Sequence, residues 1–350
     1  MSRYALFSNL LTTLHTIHYH VQTRQFGKTS LQVSAIGFGA WGIGGPTMAG
    51  EVPIGWGDVD DSTSLAALRR AFDLGITFYD TADFYGLGHS EELIGKSFGN
   101  SKDVVIATKV GHRLRDDRSI YLDYSKKYIL TACDNSLERL HRDCIDYYQL
   151  HSAKKMHLEE GGCIEAMEEL KRRGKIRYWG LSLNTFHPEP EADYLIDRKI
   201  SDGFQFVLNI INQRSLRIIQ RAKDAGYGII ARMPLQFGLL TGKFTKTTTF
   251  SSNDHRKFRL SPEILKEALV ALEDLWPIAK REGVSKSSLC LSYCASIAGV
   301  STIIPGIKTP AQAEENTKDI ISLGNQDLQF IAALYREKLS KITDMMEKQG

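Results

Sequence analysis

A (β/α)8 barrel with an N-terminal β-hairpin and long loops at its C-terminal mouth is the fold class that the sequence predicts. From about residue 23, short β-rich runs alternate with amphipathic stretches of helical length, a pattern typical of βα units around a parallel sheet. Eight strand-like runs fit within the 350 residues, which matches the strand number of this barrel. A doubly wound sheet stays the alternative here, because strand number alone does not show that a sheet closes.

The predicted strands come in chain order after a hairpin. The segments TRQF and LQVS form the hairpin and are joined through residues 27–29. The eight barrel strands are predicted at residues 35–39, 76–81, 104–108, 144–150, 176–181, 204–209, 228–232 and 302–305. Insertions at 43–58 and 244–260 follow the first and seventh strands. Both insertions leave the ends of strands at which barrel enzymes place substrate-contacting loops.

Helices are predicted between the strands from their caps and stop signals. In DSTSLAALRRAFDLG we expect Ser62 or Thr63 to cap the helix and Gly75 to end it. In GGCIEAMEELKRRG we expect the helix to end at Gly174. No linker rich in Pro, Gly or Ser divides the chain, which favours a single domain over residues 21–350.

Composition narrows the classes of partner. The net charge of +3 is spread among interleaved acids and bases, so no basic face for nucleic acid is predicted. No apolar run approaches the length of about 20 residues that a membrane span needs. Residues 1–20 contain no acid and are expected to be a disordered extension or an over-extended translation start, with a transit peptide as the alternative.

The cysteines indicate a reducing compartment. Their number is odd and they form no C-x-x-C pair, which fits free thiols in a cytoplasmic protein, and no metal site is predicted. Cys290 and Cys294 lie one helical turn apart and are interpreted as core residues.

A glycine-rich stretch resembles a dinucleotide-binding fingerprint without its context. Gly37, Gly39 and Gly42 have the spacing G-x-G-x-x-G. That motif requires a helix to open on the glycines, so that its N-terminus faces the pyrophosphate. The following GPTMAGEVPIGWGD cannot start a helix, and we therefore interpret the spacing as coincidental.

Polar residues cluster at the predicted strand ends. Asp80 closes ITFYD, Tyr85 follows in TADFYG, Lys109 closes VVIATK and His151 closes YYQLH. In a barrel these ends share one mouth. The ammonium of Lys109 is expected to lower the pKa of Tyr85, with Asp80 as its counter-charge and His151 orienting a substrate oxygen. This set suits proton transfer to a carbonyl oxygen during hydride transfer.

The sequence resembles the aldo-keto reductases at several collinear motifs. They are FYDTADFYG, ATKVG, YYQLHS, GKIRYWGLS and IPGIKTPAQAEEN, and the resemblance covers residues 23–316. It implies a (β/α)8 barrel, NADPH or NADH bound across the mouth, and a catalytic tetrad of Asp80, Tyr85, Lys109 and His151, with Tyr85 as the general acid. It implies a substrate pocket lined by Trp41, Phe84, Tyr85 and His151.

The resemblance also implies a set of cofactor-binding residues. They are Gly39, Ala40, Trp41, Asp80, Ser182, Gln205, Arg232, Leu235, Gly238, Leu239, Thr241, Lys243, Gly306, Lys308, Gln312, Glu315 and Asn316. This chain departs from the family pattern at Ala40, where threonine is usual, and at Leu183, where asparagine is frequent. Arg232 replaces an aromatic residue that stacks on the nicotinamide, and Gln312 replaces a base that grips the 2′-phosphate. Lys308 is expected to substitute for that base, which favours NADPH over NADH.

The sequence therefore predicts an NADPH-dependent oxidoreductase that reduces aldehydes or ketones to alcohols. Its partner is a small carbonyl compound, and its oligomeric state stays open. One alternative is a sugar or polyol dehydrogenase that works with NAD. Another is a nicotinamide-sensing regulatory subunit similar to the β subunits of channels, which share the barrel and tetrad.

Overall fold

The computed structural model describes residues 21–252 and 254–349. The extension expected at residues 1–20 lies outside this part of the chain. The strands, numbered along the chain, are β1 (Thr23–Gln25), β2 (Gln32–Ser34), β3 (Phe38–Gly39), β4 (Met48–Ala49), β5 (Val52–Pro53), β6 (Phe78–Asp80), β7 (Val105–Val110), β8 (His112–Leu114), β9 (Ile120–Leu122), β10 (Ile145–His151), β11 (Ile176–Ser182), β12 (Gly203–Val207), β13 (Gly228–Arg232) and β14 (Thr302–Ile304).

A parallel sheet of eight strands forms the centre of the molecule, in the order β14-β13-β12-β11-β10-β7-β6-β3. Isolated parallel bridges pair Ile36 with Ile303 and Gly39 with Gly306, which joins the first strand to the last. Gly37 N–H also donates to the carbonyl of Ile303 at 2.7 Å. The sheet therefore curls into a barrel, which confirms the predicted fold class and excludes the doubly wound alternative. Each predicted strand range overlaps one of the eight strands of this sheet.

The N-terminal hairpin packs into the barrel. Strands β1 and β2 pair antiparallel, with Thr23 opposite Ser34. Phe26, fully buried, packs with Phe78 of β6 and with Tyr147 of β10, at ring-centroid distances of 6.4 and 4.9 Å. Alternate residues of a barrel strand face the interior, so the ring of Phe26 fills the barrel from the side of the hairpin.

Helices cover the outside of the barrel. They are α1 (Asp61–Asp73), α2 (His89–Phe98), α3 (Lys126–Arg139), α4 (Lys155–Glu160), α5 (Gly162–Arg172), α6 (Glu189–Arg198), α7 (Leu216–Asp224), α8 (Arg256–Arg259), α9 (Pro262–Leu272), α10 (Trp276–Glu282), α11 (Lys286–Ser296), α12 (Pro310–Thr317), α13 (Asn325–Leu334) and α14 (Ser340–Gln349). Short 3-10 segments lie at Ala40–Gly44, Tyr85–Gly88 and Gln236–Thr241, and a π-helix at Tyr335–Leu339. No helix of the described residues has the length and apolar character needed to cross a membrane.

The ends of two helices test the sequence-based capping predictions. The cap of α1 is Asp60, whose carboxylate accepts from the N–H of Thr63 at 2.7 Å, so the prediction of Ser62 or Thr63 as the cap was wrong. A carboxylate before the first turn accepts these free N–H groups and interacts favourably with the helix dipole. Gly174 follows α5 with φ +71°, which confirms it as the stop signal.

The two long insertions meet over one side of the barrel mouth. Trp56 forms a bridge with Asp254, and Nδ1 of His255 lies 2.9 Å from the carbonyl oxygen of Pro53. A further hairpin, β8 and β9, leaves the end of β7 and was not predicted from the sequence. Cys290 and Cys294 are buried in the core, as expected.

Candidate active site

The four residues predicted as the tetrad lie at one end of three neighbouring strands. Asp80 ends β6, Lys109 lies near the end of β7, and His151 ends β10. Tyr85 begins the 3-10 turn after β6. Because β6, β7 and β10 are parallel neighbours, their ends meet at the mouth of the barrel. The structure therefore brings all four side chains together.

Lys109 contacts two other members of this group, Asp80 and Tyr85. Its Nζ donates to Asp80 Oδ1 at 2.5 Å, to the carbonyl of Thr81 at 2.8 Å and to the hydroxyl of Tyr85 at 3.5 Å. Burial lowers the pKa of Lys109, but the charge of Asp80 and the hydrogen bonds to Asp80 and Tyr85 help to outweigh it, so the pKa is raised overall. The lysine is thus held as an ammonium beside the phenol.

Asp80 is fixed from its other side by two amides. Its Oδ2 accepts from Nε2 of Gln205 at 2.8 Å and from Nε2 of Gln149 at 3.1 Å. Ser182 donates to Oε1 of Gln205 at 3.3 Å, so this pair connects the ends of β11 and β12 to the carboxylate. Sequence analysis missed Gln149. Its place two residues before His151 puts it on the same face of β10, a spacing that could have indicated it.

Tyr85 keeps its proton in this structure. Burial raises its pKa more than the ammonium of Lys109 lowers it, so the net shift is upward. The prediction that Lys109 lowers the pKa of Tyr85 is confirmed for the interaction between these two residues. The prediction of a net lowering was wrong, because burial has the larger effect. Desolvation penalises the phenolate throughout the enclosed mouth. The phenol is therefore protonated at neutral pH.

Two histidines lie side by side next to Tyr85. The ring of His151 is edge-on to Tyr85 at 5.9 Å and 4.2 Å from the ring of His112. Burial lowers the pKa of His151 well below its usual value and that of His112 to about 4, so both are neutral at pH 7. Nδ1 of His151 is buried and has no hydrogen-bond partner among the described residues. Sequence analysis missed His112, whose position three residues after Lys109 was the available signal.

Aromatic side chains form one wall of the mouth. The ring of Trp41 stacks near Tyr85 at 6.1 Å and lies 5.3 Å from both Trp56 and His255. Phe237 completes the group at 6.4 Å from Trp41. Of these, Trp41 and Tyr85 were predicted as pocket residues. Trp56, Phe237 and His255 come from insertions or turns whose folding the sequence patterns do not show.

Phe84, another predicted pocket residue, lies beside the two histidines. The ring of Phe84 lies 5.4 Å from that of His112. Phe84 directly precedes Tyr85, so the same turn places both side chains at the mouth. Trp41, Phe84, Tyr85 and His151 are thus connected through ring contacts that include His112.

Arg232 ends β13 at the same mouth. It donates to the carbonyl of Leu183 at 3.1 Å and to the hydroxyl of Thr185 at 3.3 Å. Its Nε is buried without a partner, and no carboxylate of the described residues is within ion-pair distance of it. Burial lowers its pKa, with Tyr85 and Asp80 acting in the opposite direction.

The segment after β13 forms a tight 3-10 turn along the rim. Leu239 is buried, and the hydroxyl of Thr241 donates to the carbonyl of Gly238 at 2.7 Å. Gly238 has φ +89°. This turn holds the predicted cofactor residues Leu235, Gly238, Leu239, Thr241 and Lys243 on one short arc.

The end of β14 and the start of α12 hold the other predicted cofactor residues. The N–H of Lys308 donates to Oε1 of Gln312 at 2.7 Å, and Nζ of Lys308 donates to the carbonyl of Trp56 at 3.0 Å. Lys243 pairs with Glu315 at 3.0 Å, which links this rim to the turn after β13. Asn316 donates to the carbonyl of Gly306 at 3.4 Å.

The first strand contributes backbone at the mouth. Gly39 N–H donates to the carbonyl of Pro305 at 3.0 Å, and a Cβ at Gly39 would lie 2.9 Å from that same oxygen. Ala40 is buried, and its carbonyl accepts from the hydroxyl of Ser90 at 3.0 Å. The glycine is needed for strand closure, which gives Gly39 a structural reason independent of the G-x-G-x-x-G spacing.

The donor set at the mouth fits a nicotinamide. The hydroxyl of Ser182 and the amide of Gln205 lie beside the Lys109–Asp80 pair, and the amide keeps donor and acceptor capacity beyond its two contacts. A Cβ at Gly306 would meet nothing within 4 Å, so open space borders the rim between β14 and α12. The described residues contain no group of three or more potential metal ligands.

Comparison with known proteins identifies the family. The model of the aldo/keto reductase family matches residues 35–336. The chain belongs to this family. The aldo-keto reductase YhdN of Bacillus subtilis (strain 168) is 32% identical to it over 305 residues, covering 82% of this chain and 85% of that protein. The L-galactose dehydrogenase of Arabidopsis thaliana is 28% identical over 338 residues, covering 93% and 95%.

Solved structures agree with this membership of the aldo/keto reductase family. The holo form of the aldo-keto reductase AKR11C1 from Bacillus halodurans superposes with a TM-score of 0.72 at 26% identity, covering 90% of this chain and 96% of that one. Aldo/keto reductases are NAD(P)H-dependent oxidoreductases, and we class this chain as an enzyme of that type. The resemblance inferred from the strand-end motifs is confirmed.

Proposed function

We propose that this aldo/keto reductase reduces aldehydes or ketones to alcohols with NADPH, and that Tyr85 is its general acid. One observation carries the proposal: the hydroxyl of Tyr85 lies 3.5 Å from Nζ of Lys109, which is itself paired with Asp80 at 2.5 Å. A protonated phenol, a fixed ammonium and a neutral imidazole then surround the place where a carbonyl oxygen accepts a proton. Small carbonyl compounds are the substrate class, and the compartment proposed is the cytoplasm.

Each residue has a role that follows from its contacts. Tyr85 donates its proton to the carbonyl oxygen, and the ammonium of Lys109 stabilises the phenolate that forms. Asp80 keeps Lys109 charged. His151 is neutral, so its N–H is available to donate to the carbonyl oxygen and orient it. A nicotinamide bound in the mouth supplies the hydride.

Three groups of residues would hold the cofactor. Ser182 and Gln205 would bind a carboxamide beside Asp80. The 3-10 turn at Gln236–Thr241 would cover the pyrophosphate, with Lys243 beside it. The positive end of the α12 dipole would face an adenosine phosphate, and the ammonium of Lys308 would bind the 2′-phosphate. That last contact is the reason for preferring NADPH to NADH.

The second candidate is the oxidative reaction with NAD on a sugar or polyol. The relative named L-galactose dehydrogenase, 28% identical, favours it. The same residues serve both directions, because a general acid for reduction is a general base for oxidation. Cofactor preference and the direction of turnover separate the two candidates.

The test is steady-state consumption of NADPH with a panel of aldehydes, ketones and sugars, repeated with NADH and in the direction of oxidation. Tyr85→Phe should lower kcat by about 10²–10⁴-fold and leave the Kd of NADPH nearly unchanged. Tyr178→Phe is the matched control, because its hydroxyl contacts Ser30 of the N-terminal hairpin. Retained turnover in Tyr85→Phe would exclude Tyr85 as the acid. Tight NADPH binding without turnover on any substrate would instead favour a sensing subunit.

A further inference from the structure

The mouth of the barrel has an uncompensated positive charge. Lys109 and Asp80 neutralise each other at 2.5 Å. His151 and His112 are neutral, because burial keeps them unprotonated. Arg232 is left as a guanidinium that carries its charge at all ordinary pH values and has no carboxylate at ion-pair distance among the described residues.

The other acids near the mouth do not offset this charge. Burial, and the nearby charge of Glu91, raise the pKa of Asp83 well above its usual value, which disfavours a negative charge on that carboxyl. Glu91 pairs with Arg139 at 2.6 Å. Next to the Lys109–Asp80 pair, Arg232 therefore leaves one positive charge without a counter-charge in the described part of the chain.

Arg232 is also held in place. Its NH2 group donates to the carbonyl of Leu183 and to the hydroxyl of Thr185, both just beyond the end of β11. These neutral acceptors fix the guanidinium without cancelling its charge. Its Nε is buried and has no hydrogen-bond partner among the described residues, so one donor of the guanidinium is unsatisfied.

Reaction chemistry puts the hydride donor close to this cation. The proton of Tyr85 goes to the carbonyl oxygen while the hydride goes to the adjacent carbon, so the donor ring must lie within a few ångströms of Tyr85. Arg232 ends β13, which pairs with β12, and Gln205 of β12 contacts Asp80. At this place the charge of Arg232 acts on Tyr85 and on His151, and it lowers the pKa of both. A nicotinamide ring placed against Tyr85 would therefore lie in the field of Arg232.

We propose that Arg232 makes this protein bind the reduced cofactor more tightly than the oxidised one, so that NADPH is bound in preference to NADP⁺. The oxidised nicotinamide ring carries a positive charge and the reduced ring is neutral, so an unpaired cation destabilises only the oxidised complex. In a partly dehydrated site, this repulsion is worth roughly a tenfold difference between the two dissociation constants. The inference rests on the proposed function, and its test needs no turnover.

The test is direct titration of the full-length protein with NADPH and with NADP⁺, followed by protein fluorescence or calorimetry. The measured quantity is the ratio of the two Kd values. In Arg232→Gln, and in Arg232→Met as a second neutral variant, the preference for NADPH should fall by roughly tenfold through tighter binding of NADP⁺. Arg232→Lys keeps the charge and should keep most of the preference. Arg217→Gln removes an exposed positive charge from α7 and should change nothing.

The outcomes are distinguishable. Equal preference in the wild type and both neutral variants would overturn the inference and leave the reductase proposal standing. Loss of preference in Arg232→Lys as well would also overturn it, because hydrogen bonding and not charge would then be responsible. If neither NADPH nor NADP⁺ binds the wild-type protein, the proposed function fails together with the inference.

Discussion

Lys109 and Asp80 form an ion pair that is enclosed almost completely by the barrel mouth, with Nζ 2.5 Å from Oδ1 and side chains that are 0% and 3% exposed. Removing two charges from water costs several kcal/mol each, which a close pair repays only with additional hydrogen bonds. Here Thr81, Gln149 and Gln205 supply them. The Lys109–Asp80 pair therefore has two effects. It stabilises the fold around the mouth, and it keeps Lys109 protonated, as the proposed chemistry requires.

Asp80→Asn should damage both stability and chemistry. It leaves the ammonium of Lys109 buried without a counter-charge, which costs about 3–5 kcal/mol of unfolding free energy. Burial would then lower the pKa of Lys109, so a neutral amine would face Tyr85. We expect kcat for carbonyl reduction to fall by at least roughly 10²-fold, measured at a temperature where the variant is folded.

Asp146→Asn is the control for this experiment. Asp146 pairs with Arg142 at 2.5 Å and Arg177 at 2.9 Å near the start of β10, away from the mouth. Its variant should lose stability and keep kcat. If Asp80→Asn kept wild-type kcat while losing the same stability, the pair would be structural only.

The neutral histidines predict a specific loss of stability in acid. The folded-state pKa of His112 is lowered to about 4, below the usual value of 6.5. Because the pKa of His112 is lower in the folded protein, the unfolded chain binds more protons between pH 6.5 and pH 4. The contribution of the neutral His112 to the unfolding free energy is therefore complete above pH 6.5 and is lost as the pH falls towards 4. His112→Phe keeps a ring against His151 and removes this titration. Between pH 7 and pH 5, the wild type should lose on the order of 1 kcal/mol more unfolding free energy than the variant, measured by urea denaturation.

Phe84→Leu serves as a packing control for that comparison. Its ring contacts His112 but does not titrate, so the variant should show the pH dependence of the wild type. An identical acid loss in His112→Phe and the wild type would mean that His112 is not held neutral by the fold.

The next prediction concerns Lys308 and the preference for NADPH over NADH. Lys308→Ala should raise the Kd of NADPH by roughly tenfold and that of NADH much less, because only NADPH has a 2′-phosphate for the ammonium to bind. Direct binding titrations of both cofactors measure this, with Lys280→Ala on α10 as an exposed control. Equal losses for both cofactors would show that the bond from Lys308 to the carbonyl of Trp56 matters for loop position and not for phosphate recognition.

The barrel fold and most of the tetrad could be predicted from the sequence, because they depend on hydrophobic periodicity and on the residues at strand ends. Asp80, Lys109 and His151 each close a run of alternating or continuous apolar residues, so a parallel barrel alone brings them together. Gln149 and His112 were not predicted. Their spacings from His151 and Lys109, two and three residues, were weaker signals than a polar residue at the end of an apolar run.

Other features depend on long-range packing that local patterns do not contain. The aromatic wall forms only when the insertion carrying Trp56 meets the one carrying His255. The pKa of Tyr85 is a sum over burial and several charges, so the nearest neighbour, Lys109, did not decide its direction. The direction of such a pKa shift therefore depends on how the whole mouth packs, which local sequence patterns do not show.

The turn that carries Tyr85 depends on one glycine. Gly86 has φ +63°, and a Cβ there would lie 2.0 Å from the carbonyl oxygen of Gly44, in the 3-10 segment after β3. Gly86→Ala should therefore displace Tyr85, lower kcat by at least roughly tenfold and reduce the melting temperature, since it combines the strain of a positive φ with a backbone clash. Gly174→Ala has a similar φ of +71° and open space around its Cβ, so it isolates the strain from the clash. Circular dichroism and steady-state kinetics on both variants measure the difference. Equal effects in the two variants would mean that the contact with Gly44 does not position Tyr85.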